Sequence, residues 1–362
     1  MKYILTVFLC FFLSNSVTDT DKELRVVKTL GQGILYYPAG PLPMFSYGSF
    51  VVIENQKLLL FDSAGIQPFY LIDVEGGNFE TFGQWGRGPG EFLKESPKLI
   101  SVTDDIYIYD VYNHFLHKFT LNMKYVESFL PELKSNMFAS VMMIDDETLL
   151  FSDHGVNMPG ETVESYFLKF NFKEGDVSGE PISLLPYESL DDLLPIKGNI
   201  SLKSGPVVLF DDTIYLANLF GSVIFGIDKN GTQSFYTNLP EKAGIPETEI
   251  RLVNGVRVGE PEIPTFHNLD LAVDQEYLYA LYSGVTSTYE NISNFMTGGT
   301  LDDALRIGEG KMLRIYDRRN GAYLGEFSLP NWAAAITVDE EYIYAVVWDD
   351  EPHIMVLDKP LK

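Results

Sequence analysis

The chain has 362 residues, 46% hydrophobic and 14% aromatic, enough for a sizeable core in one large domain or two ordinary ones, which excludes a disordered chain. Its 51 acidic against 26 basic residues leave a formal charge of -25. That balance repels polyanions and excludes nucleic acid as a partner, since such affinity rests on Lys and Arg neutralising phosphates.

Met1-Lys2, the apolar run 3–13 and the small residues Ser14-Asn15-Ser16 read as a signal peptide over 1–16. The remainder, 17–362, is expected to be exported as one domain, periplasmic or extracellular. The apolar run is too short for a spanning helix, which needs about 20 residues, and the mature chain shows no other candidate span. The only cysteine, Cys10, lies inside this run, so the mature chain carries no disulfide and no cysteine metal site. Lipid anchoring at Cys10 is the alternative, against which the bulky Leu9 and the continuing Phe11-Phe12-Leu13 argue.

A solitary strand, "ELRVVKTLG" (23–31), follows. One pattern then returns six times: an apolar strand, an acidic tight turn, and a strand rich in Ile, Leu and Tyr. The copies are "FVVIENQKLLLFD" (50–62), "LISVTDDIYIYD" (99–110), "VMMIDDETLLFSD" (141–153), "VVLFDDTIYLAN" (207–218), "LDLAVDQEYLYALY" (269–282) and "AAITVDEEYIYAVVW" (334–348). Period-two apolarity around a turn of Asp, Glu, Asn or Gln predicts a hairpin in each. Second hairpins follow at 69–83, 116–129, 166–184, 223–236 and 312–329.

Two hairpins make a four-stranded meander too small to bury its own faces, and six of them predict an all-β, six-bladed β-propeller. The expected blades are 44–84, 96–131, 138–186, 204–240, 267–330 and 332–358. The last has only "HIMVLD" (353–358) after its first hairpin, so strand 23–31 is expected to complete it and close the ring. A pair of β-sandwich domains would leave the shared turn chemistry unexplained.

With strands A to D counted outward from the channel, antiparallel alternation puts the A–B and C–D turns on one face and the B–C and D–A connections on the other. The elaborate segments 83–96, 154–165, 186–204, 240–267 and 283–311 all fall on the second face. Loop elaboration on one end of a rigid scaffold is where binding is usually found.

The stretch 83–119, with its glycine-rich lead-in "GQWGRGPGEF", Pro97, the Asp104-Asp105 turn and the Asp110-Val-Tyr-Asn113-His114 segment, resembles one NHL repeat. The whole chain resembles secreted bacterial six-bladed propellers of the TolB-like and NHL-like superfamily, although the later blades lack the glycine-rich lead-in. The resemblance implies a binding or scaffold role. Some relatives are metal-dependent lactonases or amidating lyases with an ion in the central channel, so a metal-dependent hydrolase or lyase is the alternative.

Arg87 on the glycine loop is a candidate to fork onto a carboxylate or phosphate with Gly86 and Gly88 amides assisting. The competing reading is an inter-blade corner with Arg87 paired to Glu91 or another blade. Asp110, Asn113 and His114 are ligand candidates where strand B hands over to strand C, though such residues usually hold the connection itself. His267 and Asn268 lead into the innermost strand of the fifth blade, and Trp332 holds the comparable position in the sixth. No cofactor is expected. Ca²⁺ or another divalent ion is the alternative, with Asp153, Asn218, Asn268 and Asp270 as weak candidate ligands. There is no Walker lysine and no G-x-S-x-G elbow. The expected partner is an unidentified small molecule, carbohydrate or envelope protein.

Overall fold

The computed structural model describes residues 23–32, 35, 50–53, 56–62, 65–94, 98–130, 138–145, 148–153, 167–171, 205–219, 221–228, 233–238, 248–253, 256–261, 265, 267–285, 309–347 and 351–361. Among them all regular structure is β, and no helix is long and apolar enough to cross a membrane.

The strands form successive antiparallel sheets in chain order. The first holds Phe50–Ile53, Lys57–Phe61, Phe69–Asp73 and Phe79–Phe82; the second Lys98–Val102, Asp105–Asp110, Phe115–Thr120 and Tyr125–Phe129. The third holds Phe138–Asp145, Thr148–Asp153 and Phe167–Asn171, the rest of the hairpin expected over 166–184 lying outside the described residues. The fourth is Val207–Phe210, Thr213–Ala217, Val223–Asp228 and Gln233–Asn238, and the fifth Asn268–Val273, Tyr277–Tyr282, Gly310–Asp317 and Tyr323–Ala333. In the sixth, Ala335–Val338, Tyr342–Val347 and His353–Asp358 are joined at the edge by Val26–Leu30, which pairs antiparallel with His353–Asp358. The first strand of each sheet touches the first strand of the next, and Ala335–Val338 touches Phe50–Ile53, so the contacts run in a cycle. This is an all-β propeller.

The core lies between sheets because these strands are buried on both sides. In Asp105–Asp110, Ile106 and Ile108 pack with Leu59, Phe69 and Phe92 of the first sheet and its corner, while Tyr107 and Tyr109 pack with Val141 and Leu149 of the third. Strict alternation thus sends successive side chains into two different cores. Further cores join the fourth and fifth sheets through Tyr215, Ile224, Leu271 and Ala280, and the sixth and first through Phe50, Leu58, Tyr344 and Val356.

The acidic turns are structural locks. In the sixth sheet Asp339 Oδ1 accepts the Glu341 and Tyr342 amides, both at 2.8 Å, and Oδ2 accepts the Tyr344 hydroxyl at 2.5 Å. Asp274 repeats the arrangement in the fifth sheet with the Glu276 and Tyr277 amides and the Tyr279 hydroxyl, and adds Lys359 Nζ at 2.5 Å. An Asp before the turn and a Tyr five residues on therefore tie each hairpin end to its own second strand.

One expectation needs correction. The segment 240–267, read as a plain link, contains the paired strands Thr248–Val253 and Val256–Pro261. Asn254-Gly255 between alternating apolar residues is the signal that was available for it.

Candidate functional site

The glycine-rich corner comes first. Gln84–Trp85 pairs in parallel with Glu91–Phe92, folding Gly86 to Gly90 into a tight loop. The loop is occupied from within: Glu91 Oε2 accepts the Gly88 amide at 2.9 Å. A Cβ placed on Gly86 would meet that same oxygen at 2.0 Å, so only glycine lets the carboxylate sit there. Gly90 takes φ +76 against the Tyr125 ring, and its amide donates to His117 Nδ1 at 3.3 Å, stitching the corner to the second sheet. Arg87 is exposed and makes no ion pair or hydrogen bond among the described residues, so the expected pairing with Glu91 does not form.

Asp110 is fully buried at the same corner, and its Oδ2 accepts the Leu93 amide at 2.8 Å while Oδ1 accepts the Asn113 amide at 3.2 Å. His114 takes φ 57, with Nδ1 3.3 Å from the Tyr109 hydroxyl. This trio holds the hand-over from lead-in loop to third strand. Asp62 does the same one sheet earlier, accepting the Gly65 amide at 3.0 Å. Around the corner Ile66 and Tyr112 stand out into solvent, 79% and 60% exposed.

The second constellation lies between the fourth and fifth sheets. His267 Nδ1 is 2.9 Å from Ser222 Oγ, and its ring meets Tyr282 edge-on at 5.5 Å. Arg314 stacks its guanidinium on Tyr282, Cζ 3.4 Å from the ring centroid, and its Nε donates to Glu326 Oε2 at 2.6 Å. Asn268 Nδ2 donates to the Asn218 and Gly221 carbonyls, each at 2.9 Å, which fixes the orientation of its amide. Two buried atoms are left over: Arg314 Nη1 and Asn268 Oδ1 have no hydrogen-bond partner. Each such group costs about 1–3 kcal/mol, more when charged, so native structures rarely carry them without a reason.

Burial together with the positive charge of Arg314 lowers the pKa of His267 from 6.5 to about 4, so the ring is neutral at pH 7. Asp270, two residues beyond Asn268, points the other way because a β-bulge interrupts the register between them. Its carboxylate accepts the Leu271 amide at 2.9 Å and the Ile336 amide at 2.8 Å, joining the innermost strands of the fifth and sixth sheets. Burial raises its pKa from 3.8 to about 7.

Of the residues singled out in the sequence, the structure brings together His267, Asn268 and the backbone of Asn218. It keeps Asp270 on the opposite side of its strand and sets Trp332 near the end of Tyr323–Ala333, where the sixth sheet had been expected to begin. The side chain of Asp153 lies outside the described residues. Among the described residues no three His, Cys, Asp or Glu gather as a metal site. Arg314, Tyr282, Glu326 and Ser222 were missed. A signal existed for Arg314: counting back three from the aspartate that ends the third strand of the first, fourth and sixth sheets gives the buried apolar Tyr70, Phe225 and Met355, against Arg314 in the fifth; the second sheet, whose third strand ends at Thr120, has the buried His117 there.

The family model DUF5128, described as a 6-bladed beta-propeller, matches residues 45–254. No curated protein matches the sequence. A DUF4221-family structure from Bacteroides vulgatus is similar at 11% identity and a TM-score of 0.59, covering 94% of this chain and 98% of that one. A Bacteroides fragilis structure, named a candidate exported protein, is similar at 13% identity and a TM-score of 0.50, again over 94% and 98%. At such identities the likeness concerns the fold.

Proposed function

The chain belongs to the DUF5128 family of 6-bladed β-propellers, and on that premise we propose an exported binding or scaffold protein that recognises its ligand or partner through the face bearing the B–C and D–A connections. The reading takes the propeller as six four-stranded blades, closed where Val26–Leu30 supplies the outer strand of the last. Export is supported by the leader at 1–16 and by the name of the Bacteroides fragilis relative. The TolB-like and NHL-like affinity rests on the 83–119 motif.

One contrast carries the proposal. On the tight-turn face the carboxylates of Asp274 and Asp339 are occupied by their own turn amides and tyrosines. On the opposite face stand the exposed Ile66, Arg87 and Tyr112 and the unbonded Arg314 and Asn268 atoms. A face with open contacts is the one built to receive something.

Photo-crosslinking residues placed at Ile66, Arg87 and Tyr112, and in separate variants at Asp104, Glu276 and Glu340, test this in the native cell. Adducts confined to the first set are expected. Equal labelling of both sets, or labelling confined to the second, would reverse the assignment of faces.

A further inference from the structure

The exposed side chains around the glycine corner are set on one stretch of surface by its two attachments. At the near end Trp85 Nε1 donates to the Gly65 carbonyl at 3.3 Å, which places Ile66 beside the corner. At the far end Asp110 holds the Leu93 amide with one oxygen and the Asn113 amide with the other, which places Tyr112 there. Arg87 stands on the loop between them. The loop's own amides are taken: those of Gly86, Gly88, Gly90 and Glu91 go to the Phe92 carbonyl, Glu91 Oε2, His117 Nδ1 and the Gly88 carbonyl, and Pro89 has none. What the corner presents outward is therefore the Arg87 guanidinium, carried on a backbone fixed at both ends. The carboxylates built into this corner leave its charge unanswered, because Asp62, Glu91 and Asp110 each accept backbone amides.

We infer that Ile66, Arg87 and Tyr112 dock a segment of a basic protein partner that carries one carboxylate between apolar side chains. The carboxylate takes the Arg87 fork, and its apolar neighbours cover Ile66 and Tyr112. The inference rests on the looped-face reading above and gives the partner its chemistry. Exposure decides the kind of occupant. At 79% and 60% exposed, Ile66 and Tyr112 project outward, and projecting side chains are covered by another protein surface, whereas a small molecule needs walls around it. An exposed arginine beside an exposed tyrosine is also the composition that dominates binding energy at protein interfaces. Charge decides the rest. A guanidinium with no ion pair among the described residues recognises a carboxylate by two parallel hydrogen bonds. A formal charge of -25 repels an acidic partner, a second copy of this chain included, and draws in a basic one. One acidic residue in an otherwise basic segment satisfies both conditions and fixes the register of the contact.

The test is NMR titration of the mature wild-type protein with three synthetic peptides, acetyl-Lys-Lys-Leu-X-Leu-Lys-Lys-amide, in which X is Asp, Asn or phosphoserine. The readouts are the Arg87 side-chain Nε–H and the backbone amides of Ile66 and Tyr112. Saturable shifts of all three by the Asp peptide are expected, with binding weakened about tenfold by the Asn peptide and about tenfold in Arg87→Ala, the loss of one charge-assisted contact. Arg87→Lys, which keeps the charge and loses the fork, is expected to fall between. The wild-type comparison of Asp with Asn stands even if a variant fails to fold. Resonances unmoved by every peptide overturn the inference. Equal binding of the Asp and Asn peptides, or undiminished binding to Arg87→Ala, overturns the carboxylate contact, and binding of the phosphoserine peptide alone replaces the carboxylate by a phosphate. In each of these cases crosslinks at Ile66 and Tyr112 keep the looped-face reading standing, and crosslinks on the tight-turn face alone sink it whatever the peptides do.

Discussion

His267, just ahead of the strand Asn268–Val273, and Asp270 within it are three residues apart and pull stability in opposite directions with pH. The His267 pKa is lowered from 6.5 to about 4, so its contribution is fully present above pH 6.5 and is lost as pH falls toward 4. The displacement of roughly 2.5 units at 1.36 kcal/mol each corresponds to about 3 kcal/mol. The Asp270 pKa is raised from 3.8 to about 7, so its contribution is fully present below pH 3.8 and is lost as pH rises toward 7. Roughly 3 units correspond to about 4 kcal/mol. Both groups are at most 9% exposed, so water screens neither. Between pH 4 and 7 the two nearly cancel, leaving a net drift from this pair of about 1 kcal/mol. Removing either one uncovers the other. Urea unfolding of the wild type, His267→Gln, Asp270→Asn and the double variant at fixed ionic strength from pH 4 to 8 measures it. Relative to the wild type, His267→Gln gains stability as pH falls from 6.5, and Asp270→Asn gains as pH rises from 4. The baseline loss from either substitution does not matter, because the slope is read. The two side chains leave the strand on opposite sides, so the effects add to within about 0.5 kcal/mol in the double variant. Flat difference curves, or two slopes of the same sign, would refute the reasoning.

At the glycine corner, Arg87→Ala is expected to leave the thermal midpoint unchanged, within about 0.5 kcal/mol, because the side chain is exposed and unbonded. Glu91→Ala empties the loop and costs about 1–2 kcal/mol by the loss of the Gly88 amide's partner; a midpoint that drops for Arg87 and holds for Glu91 would contradict both assignments. Tyr344→Phe should cost about 1–2 kcal/mol and Asp339→Ala more, since the latter strips two turn amides as well as the hydroxyl of their acceptor. Denaturant unfolding that ranks the two the other way would show that the tyrosine, and not the aspartate, organises the turn.

The strands were legible in the sequence because each is squeezed between two others, so period-two alternation survives without a polar face to blur it, as Ile106, Tyr107, Ile108 and Tyr109 show. The acidic turns were legible as turns, yet their purpose was not. A run such as Asp274-Gln-Glu-Tyr-Leu-Tyr279 looks like surface charge until the tyrosine hydroxyl is seen on the aspartate. "GRGPGEF" folds as a corner, one of the two readings that it offered, but its amides were expected to meet an anion from outside, whereas the Gly88 amide meets Glu91 three residues on. Sequence spacing names the loop and leaves its occupant open, since a carboxylate of the loop itself and one from outside would satisfy the same Gly88 amide. Arg314 marks the deeper limit. It lies mid-strand among Leu313, Ile315 and Tyr316, where local pattern predicts only core, and its partners are Tyr282 and Glu326 on the two flanking strands, which the pairing of the sheet and not the local sequence brings to it. In a fold made of near-equivalent units, a special role for one unit shows in the sequence as a departure from the repeat, and Arg314 and His117, standing where Tyr70, Phe225 and Met355 stand in other sheets, are such departures.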